Sequence, residues 1–428
     1  MVEPKILNAN FILMRLLRTV SRKLDNVLAK AVLLIIILSG SIYSQSNNNI
    51  ELVESIPVET SLDNPDIRNT QEVWLEMINS AKKTLDIEQF YISNEKGEPL
   101  DTVLNAIVAA AKRGVIVRII VDAGMYNTYP NDAEWLEKQS PNITKHIIDF
   151  KSLAGGIQHS KFFIVDGSEL FLGSQNFDWR SIKHIHELGV KIKQTDCLGV
   201  YRGIFNSDWE YSAINDGKTW GCRLFTISKN YHIDSDLYGK WIKIEPTVSP
   251  VEFDHINGYT DIEVILNIVA QAKEEITLQF LSYNPVTKEG YWEEVDTALI
   301  SASKRGVNVK LIVSDWNLGK TAVEHFKELV QYPNFEIRYT EIPDYSGGFI
   351  PFARVEHCKF ITADSVCWIG TANMSYDYFY ESRNVGLVVE NGKFTERLHD
   401  IFYKSWNSEY AHPIESNGEY VPRKRDQD

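Results

Sequence analysis

Two histidines, two lysines and two asparagines recur in one phrase that this chain writes twice. The first copy is His159-Ser-Lys161-Phe-Phe-Ile-Val-Asp166, followed by Gly173-Ser174-Gln-Asn176. The second is His357-Cys-Lys359-Phe-Ile-Thr-Ala-Asp364, followed by Gly370-Thr371-Ala-Asn373. Both fit H-x-K-x4-D with a downstream G-[S/T]-x-N. A lone H-x-K is most often surface decoration, but two copies inside a wider repeat are a strong signal. Imidazole can serve as a nucleophile or as a general acid and base near neutral pH. Lysine neutralises non-bridging phosphate oxygens, asparagine donates a neutral hydrogen bond to them, and preorganised donors of this kind stabilise a charged transition state. The phrase therefore predicts that both copies converge on one phosphodiester. In a strand, H-x-K puts His and Lys on one face and turns Ser160 or Cys358 into the scaffold. One histidine per strand is unlike the clustered ligands of a zinc site, so no metal or other cofactor is expected.

The elements that must position these residues are repeated too. Ser80 to Tyr91 parallels Ala270 to Leu281, and Ala111-Lys-Arg113-Gly114 to Asp122 parallels Ser303-Lys-Arg305-Gly306 to Asp315. Phe205-x3-Trp209 parallels Phe402-x3-Trp406. The period is too long for a solenoid, whose repeats run about 20–50 residues, and marks two halves of domain size. Leu85 to Tyr91 has a strand pattern. Thr102 to Lys112 has helical spacing, with Arg113-Gly114 as its stop. Val115 to Val121 is an apolar run suited to a strand buried on both faces. Phe162 to Val165 and Leu170 to Leu172 flank a hairpin turn at Asp166-Gly167-Ser168. The expected fold is α/β: two homologous mixed-sheet halves packed as a pseudo-twofold sandwich. Expected boundaries are a leader and linker over 1–49, halves over 50–225 and 226–415, and a polar tail over 416–428.

The paired motifs resemble those of the phospholipase D superfamily over about residues 50–415. The stretch from Asn176-Phe-Asp178-Trp179-Arg180-Ser181 to Glu187-Leu-Gly189 resembles a narrower branch of lysosomal phospholipase D-like 5′ exonucleases and poxvirus envelope relatives. The resemblance implies that His159 attacks phosphorus and forms a phosphohistidine. It implies that His357 protonates the leaving oxygen and then activates water. Lys161, Lys359, Asn176 and Asn373 would cradle the phosphate, with Ser174 and Thr371 supporting the same region. Asp166 and Asp364 would be structural, and Glu187 and Glu381 would orient the opposite half's histidine. Five residues separate Asp364 from Gly370, against six between Asp166 and Gly173, which is a difference in turn length. His184 and His186 are read as surface or packing residues. Of the aromatics near the motifs (Tyr91, Phe177, Trp179, Tyr283, Tyr376 and Tyr378), most are expected in the core and one or two against bases.

Basic residues Arg15 to Lys30 precede the apolar run Ala31 to Leu38, which tails into Ser39 to Ser44. The thirteen residues from Ala31 to Tyr43 are short for a spanning helix, which needs about 20. A cleaved signal peptide and a type II signal anchor both remain open, and either puts the body on the lumenal or extracellular side. That location allows lysosomal, endoplasmic-reticulum or secreted placement. It also permits disulfides: four cysteines allow three pairings, of which Cys197–Cys222 is the first choice, with Cys358 and Cys367 facing each other or free. Asn142-Ile-Thr144 is a glycosylation sequon. A net charge of −14 argues against broad duplex binding, which needs many basic contacts, but not against a narrow site for one strand end. The basic cluster Arg423-Lys424-Arg425 is read as a solvated tail.

Three functions are in view. A 5′ exonuclease on single-stranded DNA or RNA is the first, a phospholipase D or phosphatidyl transferase the second, and a catalytically silent trafficking protein the third. Complete motifs in both halves oppose the third. Both half-sites lie on one chain, so neither a protein partner nor a homodimer is required to assemble the centre.

Overall fold

The computed structural model describes residues 48–193, 195–214, 231–251, 260–287 and 290–426. The leader falls outside the described residues, and so does Cys222, one member of the expected disulfide. Among the described residues no helix is long and apolar enough to cross a membrane. Asn48–Asp428 forms one compact unit.

The duplication is visible strand by strand. The first half contributes β1 (Ile50–Ser55), β2 (Thr84–Gln89), β3 (Ile116–Asp122), β4 (Ile143–Ile148), β5 (Phe162–Val165), β6 (Glu169–Gly173) and β7 (Glu187–Lys193). The second contributes β8 (Gly239–Ser249), β9 (Glu275–Gln279), β10 (Asn308–Ser314), β11 (Phe335–Thr340), β12 (Phe360–Ala363), β13 (Val366–Gly370) and β14 (Asn384–Glu390). Their spatial orders match: β1-β7-β6-β5-β2-β3-β4 in one sheet and β8-β14-β13-β12-β9-β10-β11 in the other. In each, the last three strands run parallel and the others pair antiparallel. Arg68–Asn69 extends the first sheet; Tyr231–Ser235 and Ala411–Pro413 extend the second.

Side-chain alternation sorts the core into layers. On β5, Phe162 and Ile164 face a central layer while Phe163 and Val165 face outward. On β12, Phe360 faces the central layer and Ile361 and Ala363 face outward. The central layer therefore draws on both sheets, together with α3 (Leu198–Ile214) and α7 (Gly392–Trp406). Here lie the repeated aromatic pairs: Phe205 stacks on Trp209 at 6.0 Å and Phe402 on Trp406 at 5.4 Å. Each fully buried side chain of this size contributes roughly 1.5–3 kcal/mol.

Helices α1 (Thr70–Ser80) and α2 (Pro99–Lys112) cover the outer face of the first sheet, as α4 (Asp261–Gln271) and α5 (Glu294–Lys304) cover that of the second. The repeated Arg-Gly does two jobs at the ends of α2 and α5. Gly114 and Gly306 take φ of +102° and +97°, the left-handed turn that stops a helix. Arg113 then donates to the carbonyls of Ile78 and Asn79 in the last turn of α1, and Arg305 to those of Val269 and Ala270 in α4. A cation at a helix C-terminus complements the dipole. The repeat thus fixes how the outer helices pack.

Candidate active site

Each motif is anchored by its aspartate, far from the histidine. Asp166 and Asp364 both sit at φ +52° in the hairpin turn after the motif strand. Asp166 accepts from the backbone N–H groups of Lys82, Lys83 and Thr84, and Asp364 from those of Lys273, Glu274 and Glu275. Each carboxylate thereby ties β5 or β12 to the start of β2 or β9. Partial burial raises the Asp166 pKa, but the three N–H donors outweigh it and hold the group below its usual range.

His159–Lys161 and His357–Lys359 are extended lead-ins just ahead of β5 and β12 rather than residues within them. Each is tied to the opposite half. His159 N donates to Arg383 O at 2.9 Å, and His357 N donates to His186 O at 2.9 Å. The middle residues turn inward: Ser160 Oγ donates to Glu88 Oε1 at 2.9 Å, and Cys358 Sγ lies 3.7 Å from His186 O. Cys358 and Cys367 are both buried and free. Each lysine bends back onto its own motif, Lys161 Nζ to His159 O at 2.7 Å and Lys359 Nζ to His357 O at 2.8 Å. Both lysines are fully buried. Burial, then the charge of Lys359, holds the Lys161 ammonium well below its usual pKa; burial brings Lys359 down to about 8 despite the pull of Glu187. Two ammonium groups forced together in a desolvated pocket are a receptor for an anion.

The histidines are oriented across the pseudo-twofold, and unequally. His357 Nδ1 lies 2.7 Å from Glu187 Oε2, whose other oxygen accepts from Ser181 Oγ at 2.6 Å. His159 Nδ1 lies 3.1 Å from Asn384 Oδ1, not from Glu381 as expected. Glu381 caps the C-terminal end of a short helix and packs near Gly155. The register explains the shift: Gly173 pairs with Gly189 and Gly370 with Gly386, so Glu187-Leu-Gly189 aligns with Asn384-Val-Gly386. Asn384 Nδ2 donates to Tyr378 O at 2.8 Å, and Thr371 Oγ1 donates to Asn384 Oδ1 at 3.0 Å. Its oxygen is thus set as an acceptor, which places the proton of His159 on Nδ1 and leaves the Nε2 lone pair open. Burial, then the two lysines, pushes His159 well below its ordinary pKa. Burial also lowers His357, but Glu187 opposes it.

Ser174 and Thr371 brace these partner strands. Leu188 N donates to Ser174 Oγ at 3.0 Å, and Val385 N to Thr371 Oγ1 at 3.1 Å. The motif glycine is required at this crossing, because a Cβ on Gly173 would lie 2.5 Å from the Gly189 backbone. Asn176 and Asn373 are buried, each with an amide oxygen that lacks a partner. Phe90 and Tyr378 pack edge-on against the His159 ring at 5.0 and 4.7 Å. Phe177 and Tyr283 belong to the core, and Tyr376 stacks on Tyr380 at 4.5 Å.

Of the two readings open for His184 and His186, surface or packing, the structure takes packing: both are buried. His186 Nδ1 meets Glu356 Oε2 at 2.6 Å directly behind His357. Among the described residues, His186, Glu356 and Cys358 form one group with metal-ligating atoms within 4.8 Å of one another. Its carboxylate is engaged by His186 and by Cys358 N at 2.9 Å, so the donors are turned on one another. Finally, the C-terminal basic cluster is docked rather than solvated. Arg423 donates to Ile342 O and Asp344, and Arg425 Nη2 donates to Trp316 O at 2.8 Å. Asn142 of the sequon donates its Nδ2 to Ala111 O at 2.9 Å.

Two matched mixed sheets thus bring a His-Lys pair from each half near enough for their charges to act on one another. The family described as "Cardiolipin synthase, PLD-like domain" matches residues 74–209 and 265–406, and the chain belongs to this phospholipase D-like family of hydrolases. It is 30% identical to phospholipase D Z of Dictyostelium discoideum, over 86% of this chain and 92% of that one. It is 28% identical to the 5′-3′ exonuclease PLD3 of Xenopus laevis, over 84% and 80%. The phosphatidylserine synthase of Haemophilus influenzae superposes with a TM-score of 0.56 at 12% identity, covering 80% of this chain and 85% of that one, which speaks to the fold alone.

Proposed function

We propose that this phosphodiesterase is a 5′ exonuclease on single-stranded DNA or RNA that works through a phosphohistidine and needs no metal. The observation that carries the division of labour is the unequal pair of histidine partners. Asn384 is neutral, so it orients His159 while favouring the protonated ring less than a carboxylate would, and burial and the two lysines outweigh it; His159 Nε2 then keeps its lone pair and attacks phosphorus. Glu187 is a carboxylate and favours the imidazolium of His357, which suits a group that must give a proton and take one back. In the first step the His159 N–P bond forms and the P–O5′ bond breaks, and His357 protonates the departing 5′-oxygen. In the second, His357 takes a proton from water, the hydroxide oxygen bonds to phosphorus, and the N–P bond breaks. The product is a nucleoside 3′-phosphate. Lys161, Lys359, Asn176 and Asn373 hold the non-bridging oxygens throughout.

The relative named as a 5′-3′ exonuclease and the polar, cation-bearing lining of the cavity beside the site support nucleic acid. The relative named as phospholipase D supports the second reading, a lipid diester handled by the same phosphohistidine. The basic-then-apolar leader supports a secretory or lysosomal lumen.

The test uses the full chain from a secretory host at about pH 5 and pH 7, in EDTA, with the His159→Ala variant as control. The substrate is a 3′-labelled single-stranded oligonucleotide with a 5′-hydroxyl, with phosphatidylcholine in a parallel arm. Stepwise shortening from the 5′ end, absent in the variant, is expected. Intact oligonucleotide with released choline would transfer the assignment to a lipid enzyme. Inhibition by EDTA that a divalent ion reverses would refute the metal-free mechanism.

A further inference from the structure

A cavity of about 400 Å³ opens beside the site and shares Asn373 and Tyr378 with it. That is enough room for one nucleotide. Its far wall comes from three places in the chain. Trp316 supplies a partly exposed ring. Lys320 opens α6 (Lys320–Leu329), whose N-cap, Gly319, gives no side-chain cap. Arg425 comes from the C-terminal arm.

The arm is fastened there. Arg423 pairs with Asp344 and lies 3.9 Å from Asp315, and Phe352 N donates to Arg425 O at 2.9 Å. The Arg425 guanidinium lies 5.0 Å from the centre of the Trp316 ring and gives one N–H to Trp316 O. Guanidinium carries five such donors. Arg425 and Lys320 are exposed cations on a chain with net charge −14, and both line this cavity. The buried Asn373, which the cavity shares with the site, lines its near side. An uncapped helix N-terminus and two cations around one nucleotide-sized space form a second anion site next to the first.

We infer that this cavity seats the leaving strand, with Arg425 and Lys320 taking the first phosphate beyond the scissile one. The inference rests on the exonuclease reading, in which a 5′-hydroxyl end leaves every further phosphate on the departing side. Such a contact distinguishes a polynucleotide, which always carries another phosphate, from a simple phosphatidyl ester, which does not.

The test compares a dinucleoside monophosphate, which has only the scissile phosphate, with a trinucleoside diphosphate, which has one more. Arg425→Ala and Lys320→Ala should each lower kcat/KM on the trinucleotide about tenfold or more, the value of a charge-assisted hydrogen bond. The loss on the dinucleotide should be about tenfold smaller. Arg425→Lys should recover part of it. The slope of log KM against log salt for the longer substrate should fall by about 0.7 in each alanine variant, one released counterion per lost contact. Equal losses on both substrates, or none on either, would overturn the inference while leaving the exonuclease intact. A wild-type protein that hydrolyses bis(p-nitrophenyl) phosphate but neither nucleotide would overturn the exonuclease reading itself, and the inference with it.

Discussion

His357 leans on a carboxylate supplied by the first half; His159 leans on an amide supplied by the second. Nearly everything else about the two half-sites is shared: the lead-in geometry, the buried lysine folded onto its histidine carbonyl, the bracing hydroxyl and the aspartate at the turn. In the proposed mechanism the shared parts hold the phosphate, and the single unlike pair assigns each imidazole its proton. On that reading positions 187 and 384 set the chemistry, whereas the surrounding repeat sets geometry.

Removing the imidazoles gives the largest expected effect. His159→Ala and His357→Ala should each lose about 10⁴-fold or more in kcat. An aryl phosphodiester, whose leaving group needs no proton, separates them. A denaturing quench at alkaline pH, where the P–N bond survives, should trap labelled phosphoryl on the protein in His357→Ala and not in His159→Ala. A trapped adduct in the opposite variant would reverse the assigned roles.

The lysines come next and should behave alike, since they belong to the shared part. Lys161→Ala and Lys359→Ala should each cost about 10²–10³-fold in kcat/KM, the range for losing one preorganised donor at a developing charge. A large difference between them would show that the asymmetry extends beyond the partners.

Glu187→Gln targets the difference itself. Without the carboxylate the His357 imidazolium is less stable, so its pKa falls and the alkaline limb of the kcat profile should move to lower pH. Asn384→Glu should act in the other direction on the other ring. It would favour protonated His159 and create an acidic limb, where the nucleophile is lost. If neither profile moves, Glu187 and Asn384 serve only to hold the rings in place.

The smallest effect concerns two buried aspartates at the ends of the parallel strands. Asp122 has backbone donors, Gln158 N at 2.9 Å and Met125 N at 3.0 Å. Asp315 is buried with no side-chain donor in hydrogen-bonding range, and burial pushes it up to about 7 against the charge of Arg423, 3.9 Å away. The folded state keeps this proton between an unfolded value of about 3.9 and about 7, where the unfolded state releases it. Stability therefore falls as pH rises through that window and stays lower above it. Asp315→Asn should raise Tm at pH 8 by roughly 2–4 °C and change it little near pH 4. Burial raises Asp122 as well, but each of its oxygens accepts a backbone N–H, so Asp122→Asn, which turns one of them into a donor, should destabilise at pH 8.

What was legible in the sequence follows from how local each signal is. The Arg-Gly helix stops, the hairpin at Asp166-Gly167 and the repeat of Phe205-x3-Trp209 all lie within one or two elements and appear where their patterns placed them, whereas the H-x-K triplets lead into their strands instead of lying within them. Glu187 could be matched to the opposite histidine because its neighbours repeat well. Asn384 was hidden because the residue type changed: a search for an acid finds Glu381, three positions early, and only the strand register from Gly370 to Gly386 corrects it. The arm was hidden for a different reason. Arg423-Lys424-Arg425 has the composition of a solvated tail, and its partners, Asp344 and Trp316, lie some eighty or more residues away in the chain. Burial of His186 likewise depends on Glu356, which sequence distance does not reveal.

Each histidine is held by a residue encoded in the other repeat, and both repeats lie in one reading frame. In an assembly of two identical subunits, one codon would specify both partners, and any change that suited one imidazole would be imposed on the other. Here two codons specify them independently. Duplication with fusion is thus what permits an amide at one position and an acid at its counterpart in two halves that otherwise remain close copies.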